Sequence, residues 1–149
     1  DGVRFVMAGS GEKMAEMIDL VAKRGIADKF HFPGFMRGKQ VQEMLAMSDV
    51  YIMPSVSEPF GISPLEAMQV GCPSIISHQS GCAEILQHAI KTDYWDIDAM
   101  ADAIYAIVKY PAMYKSLHEL GMAEVNNIKW ADAGLKVRRI YDGVINHTL

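Results

Sequence analysis

Apolar residues occur along this chain in two rhythms: short continuous runs, and longer stretches repeating every three to four positions. The short runs predict strands at Val3 to Ala8, Phe30 to Phe35, Val50 to Met53 and Ser74 to Ser77. Turn residues mark their ends: Gly9-Ser10-Gly11, Pro33-Gly34, Pro54 and His78-Gln79-Ser80-Gly81. The longer rhythm predicts a helix from Lys13 to Arg24, with Met14, Met17, Ile18 and Val21 on one face and Gly25 at its end. A second helix runs from Lys39 to Met47, and a third begins at Ser63 and stops at Gly71-Cys72-Pro73. Further on, Ile97 to Val108 places Ile97, Met100, Ala101, Ile104 and Val108 together. Pro111 to Leu120 and Ala131 to Val144 follow, joined through Asn126-Asn127 and Trp130. Val137, Ile140, Tyr141 and Val144 of the last helix are expected to pack on the sheet. Strands alternating with helices, each crossover roughly thirty residues or less, predict an α/β fold: a Rossmann-like parallel sheet with helices on both faces.

Composition narrows this picture. A chain of 149 residues, half of them hydrophobic, is expected to form a single domain over 1–149 with a real core. No apolar run approaches the length that spans a membrane. A net charge of -4 argues against a nucleic-acid partner, which favours a basic face. Cys72 and Cys82 are too few for a disulfide framework and no signal peptide opens the chain, so reduced thiols and a cytoplasmic location are expected. The chain opens at Asp1 and runs almost directly into a strand, as expected of a piece of a larger protein. No Cys/His cluster has zinc spacing and no Ser-His-Asp set announces a nucleophile.

The candidate chemistry sits between Ser55 and Met68. Ser63 is a possible N-cap, Pro64 suits the first helical position, and Glu66 completes a Ser-x-x-Glu capping box. Gly61, in the loop before the helix, lets the backbone come close to a ligand. N–H groups at such a turn attract an anion, while Glu58 and Glu66 beside it are suited to accept hydrogen bonds from sugar hydroxyls. A ligand with phosphates in its middle and hydroxyls at its ends, a nucleotide sugar, matches that arrangement. Taken singly, Glu66 is equally well a capping residue and Glu58 a solvated loop charge.

Longer strings agree with the nucleotide-sugar reading. Glu58-Pro59-Phe60-Gly61 through Glu66, the run Glu66-Ala67-Met68-Gln69-Val70-Gly71-Cys72-Pro73, and Ser48-Asp49-Val50 before Pro54-Ser55 strongly resemble the signature of the retaining family-four (group 1) glycosyltransferases of the GT-B fold. The resemblance implies that the chain is the C-terminal, donor-binding half of such an enzyme. It implies Glu58 as the catalytic contact to the donor sugar and Glu66 as the ligand of the ribose hydroxyls. Phe60, Gly61, Ile62 and Ser63 then line the donor, the Gly9 turn lies near the nucleotide, and Phe35, Met36 and Arg37 lie against the base. A buried place in the core is the commoner fate for an aromatic such as Phe35. The implied reaction is retaining transfer from a nucleotide-diphospho-sugar to an acceptor hydroxyl, with no metal and no cofactor besides the donor. The acceptor would be held mainly by an N-terminal domain, and an Arg and a Lys that grip the diphosphate would precede Val3. Turnover by the 149 residues alone is therefore not expected. Two departures stand out: Cys82 replaces a glycine in Gly81-Cys82-Ala83-Glu84, and a strand after Ala89 is short or irregular. Asp96-Ile97-Asp98 imitates a metal motif, yet Asp96 is better placed as a helix N-cap. A binding-only module and a GT-B sugar-nucleotide epimerase are the rival readings.

Overall fold

A computed structural model describes residues 2–146 and divides the chain into two compact units, Asp1–Glu43 and Met44–Leu149. In the first unit β1 (Phe5–Ala8) leads through α1 (Met14–Lys23) and a 3-10 turn (Ala27–Lys29) to β2 (Phe30–Gly34). The strands pair in parallel, Phe5 opposite Phe30 and Val6 opposite His31, with a register shift before Ala8 meets Gly34. The rings of Phe5 and Phe30 stack across this pair, 4.8 Å between centroids. The predicted apolar face of α1 is only partly used: Val21 is buried, but Ile18 is 45% exposed. Two strands about 5 Å apart make a narrow platform for a helix about 10 Å across.

In the second unit, α2 (Lys39–Ala46) leads in from the first and β3 (Tyr51–Met53), α3 (Ser63–Gln69), β4 (Ser74–Ser77) and β5 (Ile90–Thr92) build a parallel sheet in the order β3-β4-β5. Central β4 is buried along its whole length, which explains its unbroken Ser-Ile-Ile-Ser text. Ile76 faces a core of Met53, Met68, Cys82, Leu86 and Val125. α4 (Ile97–Lys109), α5 (Pro111–Asn126) and α6 (Trp130–Ile145) complete the chain. α5 packs on α3 because Gly121 is bare: a Cβ there would come 3.2 Å from Met68 Cε. All the strand pairs are parallel, as the alternating pattern predicts.

Several expectations need correction. α5 continues to Asn126 rather than stopping at Leu120. The buried residue of α4 is Ile107, while Ile97 and Val108 are exposed, so the inward stripe is rotated from the predicted one. Val137, Ile140, Tyr141 and Val144 of α6 do not pack on the sheet; each is about half exposed or more, from 49% to 64%. Their spacing makes an apolar side, but the three strands of this unit are already packed by α3 and α4, with α5 lying on those two helices. The Asp96 cap is as predicted, its carboxylate accepting from Ala99 N–H at 2.9 Å.

Two ties shape the carboxyl edge of the sheet. The segment after β3 is held against the exit of β4: Gly81 N–H donates to Glu58 O (2.8 Å) and Cys82 N–H to Phe60 O (2.7 Å). Gly81 must be glycine for this approach, because a Cβ would run into the Pro59 carbonyl. From the other side, the Glu124 carboxylate of α5 accepts from the N–H groups of Gln87 (2.7 Å) and His88 (2.9 Å), fixing the passage into β5.

Gly81→Ala is therefore expected to destabilise the protein by about 1–3 kcal/mol, the usual cost of forcing an atom into a packed contact. Urea titration reads this as a lower midpoint with an unchanged slope. Glu124→Ala should cost about 1–3 kcal/mol through the stranded amide donors. Hydrogen exchange should then lose protection at Gln87 and His88 while β4 keeps its own.

Candidate functional site

The predicted site residues fall in both units. In the second, the loop between β3 and α3 carries Glu58, Phe60, Gly61 and Ile62, and α3 begins with Ser63. Glu58 is half-buried and joins Ser80 in an isolated parallel bridge. Gly61 takes φ +90, a conformation that side chains rarely adopt. A Cβ there would also meet Met53 Cε at 2.8 Å and Glu58 Cγ at 3.2 Å, so the Glu58 side chain lies against the glycine. Phe60 and Ile62 are 39% and 62% exposed, leaving the loop with an open apolar surface beside its main chain.

The capping box is not formed. Ile62 occupies the N-cap position with helical backbone angles, no side chain caps the helix, and Ser63 lies inside it. The Ser63 hydroxyl is engaged elsewhere: it accepts from Tyr51 Oη at 2.7 Å. Glu66, released from capping, is exposed in the first turn of α3. Burial raises the Tyr51 pKa, the bond to Ser63 lowers it, and the charges of Cys82, Glu66 and Glu58 raise it further.

The exit of β4 supports the loop by more than its backbone. Ser77 Oγ donates to Ser55 O (2.6 Å) and lies 2.8 Å from Ser80 Oγ, both serines being buried. Cys82, which stands where the resemblance has glycine, turns its side chain into the core with no exposure at all. Burial raises its pKa, and it serves as an anchor rather than a nucleophile. Cys72 is likewise buried, its pKa pushed up to about 12 by burial and by Asp49. His78 is an exposed loop residue, as expected.

In the first unit, Gly9 takes φ +130 and its N–H donates to Gly34 O at 2.8 Å, closing the glycine turn on the end of β2. Phe35 does not enter the core. It is 62% exposed, and Arg37 Cζ lies 5.0 Å from its ring centroid. It follows directly on the end of β2, where a two-stranded sheet has no interior left to offer. Met36 is half-buried. Lys39 spends its charge on Glu43, 2.9 Å away within α2. Among the described residues no group of three or more His, Cys, Asp or Glu side chains is placed to hold a metal ion, and no helix is long and apolar enough to cross a membrane.

Sequence reasoning missed Tyr51, Gly81 and the buried serines. Only Tyr51 carries a visible signal, a hydroxyl at the head of an otherwise apolar strand. The others depend on contacts between segments distant in sequence.

Comparison with known proteins places the chain in a family. The family model described as glycosyl transferases group 1 matches residues 1–123. The N-acetyl-alpha-D-glucosaminyl L-malate synthase of Bacillus anthracis is 31% identical over 120 residues, covering 78% of this chain and 31% of that protein. The phosphatidylinositol N-acetylglucosaminyltransferase gpi3 subunit of Schizosaccharomyces pombe is 27% identical over 144 residues, 95% of this chain and 32% of its own. The chain thus spans about a third of the length of these curated relatives. Among solved structures, Anabaena HepE in complex with UDP-glucose superposes with a TM-score of 0.82 at 18% identity, covering 95% of this chain and 41% of that one, and shares the fold. With the family model matched over most of its length, the chain belongs to the group 1 glycosyltransferases, and its fold is part of a GT-B architecture.

Proposed function

We propose that this chain binds the nucleotide-diphospho-sugar donor of a glycosyltransferase that moves a hexose-type sugar to an acceptor hydroxyl with retention at the anomeric carbon. The observation that carries the reading is the loop Glu58–Ser63: the Glu58 side chain lies against Gly61, a buried glycine of positive φ, and Glu66 follows in the first turn of α3. Three N–H groups, of Gly61, Ile62 and Ser63, precede Pro64, which has none. Aimed at the diphosphate, they stabilise the charge that grows on it as the bond to the anomeric carbon breaks. Their rigidity matters, because donors fixed beforehand need no reorganisation during the reaction. Glu58 accepts hydrogen bonds from the donor sugar, and its negative charge favours positive character at the anomeric carbon. Glu66 takes the ribose hydroxyls.

Within the first unit, Gly9, Phe35, Met36 and Arg37 are the candidates for contact with a nucleoside. The exposed Phe35 ring with Arg37 against it suits a nucleobase, which stacks on an aromatic face. UDP-linked sugars are the first donors to test, since UDP-glucose is the ligand of the structurally similar HepE. The acceptor and the cationic partners of the diphosphate belong to parts of the protein outside these 149 residues, so the isolated chain transfers no sugar. No metal is assigned a role.

The two carboxylates are expected to fail differently in the full-length protein. Glu58→Ala should lower kcat by about a hundredfold with a small change in donor KM, because its contact strengthens in the transition state. Glu66→Ala should raise donor KM by about tenfold, the loss of hydrogen bonds to a charged group worth about 1.5–3 kcal/mol, with kcat nearly kept. Initial-rate kinetics decide it, and unchanged constants in both variants would contradict the assignment. A wild-type protein that binds the donor but turns none over would instead be a binding module.

A further inference from the structure

β5 ends at Thr92, and the chain turns at once through Tyr94 and Trp95 into α4. The Trp95 side chain is 60% exposed, and Tyr94 packs against it edge to face, the ring centroids 4.8 Å apart. A tryptophan is seldom left this open, because few side chains gain as much from burial. The exposure is not that of a loose tip. Asp96 N–H donates to Asp93 O (3.0 Å), closing the turn around the pair, and the Asp96 carboxylate caps α4. Gln79, in the loop leaving β4, donates through Nε2 to Asp93 Oδ1 (2.9 Å) and accepts from Tyr94 N–H (3.3 Å). The two rings are thus held at the surface on a fixed backbone.

Position and charge say what such a surface meets. β3, β4 and β5 run parallel, so the Tyr94–Trp95 turn lies at the same carboxyl edge as the Glu58 loop, about 10 Å along it at two strand spacings. Ligands of open parallel sheets collect at that edge. From Thr92 to Val108 the chain has four aspartates, Asp93, Asp96, Asp98 and Asp102, and no basic residue. Such a segment repels phosphate, nucleic acid and an anionic membrane. Carboxylates accept from hydroxyls, and an aromatic face covers the C–H side of a sugar ring, so the combination fits a saccharide. We propose that Trp95, backed by Tyr94, is a stacking platform for a sugar unit of the acceptor remote from its reacting hydroxyl, which makes the acceptor a glycan of two or more units. The class of partner rests on the sugar transfer proposed above, and the reacting end stays with the parts of the protein outside these 149 residues.

The experiment screens the full-length protein on an array of neutral oligosaccharides: glucans, mannans, galactans and N-acetylglucosamine oligomers. The best-bound glycan is carried into calorimetry with wild type, Trp95→Ala, Trp95→Leu and Trp95→Phe, and UDP, ADP and GDP are titrated into each. Trp95→Ala should weaken the glycan by about three- to tenfold, the worth of one aromatic contact, and leave nucleotide affinity and melting temperature unchanged. Trp95→Leu, apolar but without a ring, should lose as much, while Trp95→Phe should keep most of the wild-type affinity. Unchanged glycan affinity in Trp95→Ala, or an equal loss for glycan and nucleotide, would overturn the inference. So would a wild type that binds no glycan on the array, whether or not a nucleotide binds. If Trp95→Ala does not fold, the Leu and Phe variants decide: equal glycan affinities in both would reject the platform. Wild-type attachment to phosphatidylcholine–phosphatidylglycerol vesicles that is lost in Trp95→Ala, with glycan affinity kept, would assign the rings to a membrane instead. Glycan binding through Trp95 with no nucleotide bound would keep the platform and remove the donor site.

Discussion

The candidate site depends on one short backbone seam. Two hydrogen bonds, from Gly81 to Glu58 and from Cys82 to Phe60, hold the loop after β3 against the chain leaving β4. The seam closes only because Gly81 has no side chain to collide with Pro59. Cys82, one residue on, fixes it from inside by inserting a fully buried side chain into the core. A long surface loop is usually the mobile part of an α/β domain. Here its middle is tied to the buried central strand, so Glu58 and Gly61 inherit the rigidity of that strand. Rigidity is what electrostatic stabilisation of a leaving diphosphate requires.

The rigid frame carries negative charge: Glu58 lies in the tied loop and Glu66 in the first turn of α3. The side chains nearest Gly61 are those of Glu58 and Met53, neither of them basic. In the proposed site, phosphate would meet backbone dipoles in this unit and the carboxylates would meet sugar hydroxyls. The division has a physical reason. A carboxylate repels phosphate, so Glu58 and Glu66 are useful only at the two ends of a ligand whose charge lies between them. A nucleotide sugar has that distribution.

The strands, most of the helices and the two glutamates were legible because each is written in consecutive residues. β4 shows it plainly: a short apolar run is all that a buried parallel strand needs. Ser63 shows the limit. Its position before Pro64 and Glu66 spells a capping box, but Tyr51, twelve residues earlier, takes its hydroxyl, and the helix starts from Ile62 instead. Phe35 and α6 fail for a related reason. Periodicity says which side chains belong to one face, not what covers that face, and Phe35 and the apolar side of α6 are left exposed. Gly81 reads as an ordinary loop glycine until the Pro59 carbonyl is placed against it.

The central claim is that the loop Glu58–Ser63 and the first turn of α3 receive a nucleotide-diphospho-sugar. A crystal structure of the full-length protein with a bound donor tests it most directly. The account predicts the diphosphate within hydrogen-bond distance of the Gly61–Ser63 amides, the ribose hydroxyls on Glu66 and the transferred sugar on Glu58. A donor bound away from this loop, or Glu58 and Glu66 on opposite sides of the bound nucleotide's site with neither touching it, would contradict it.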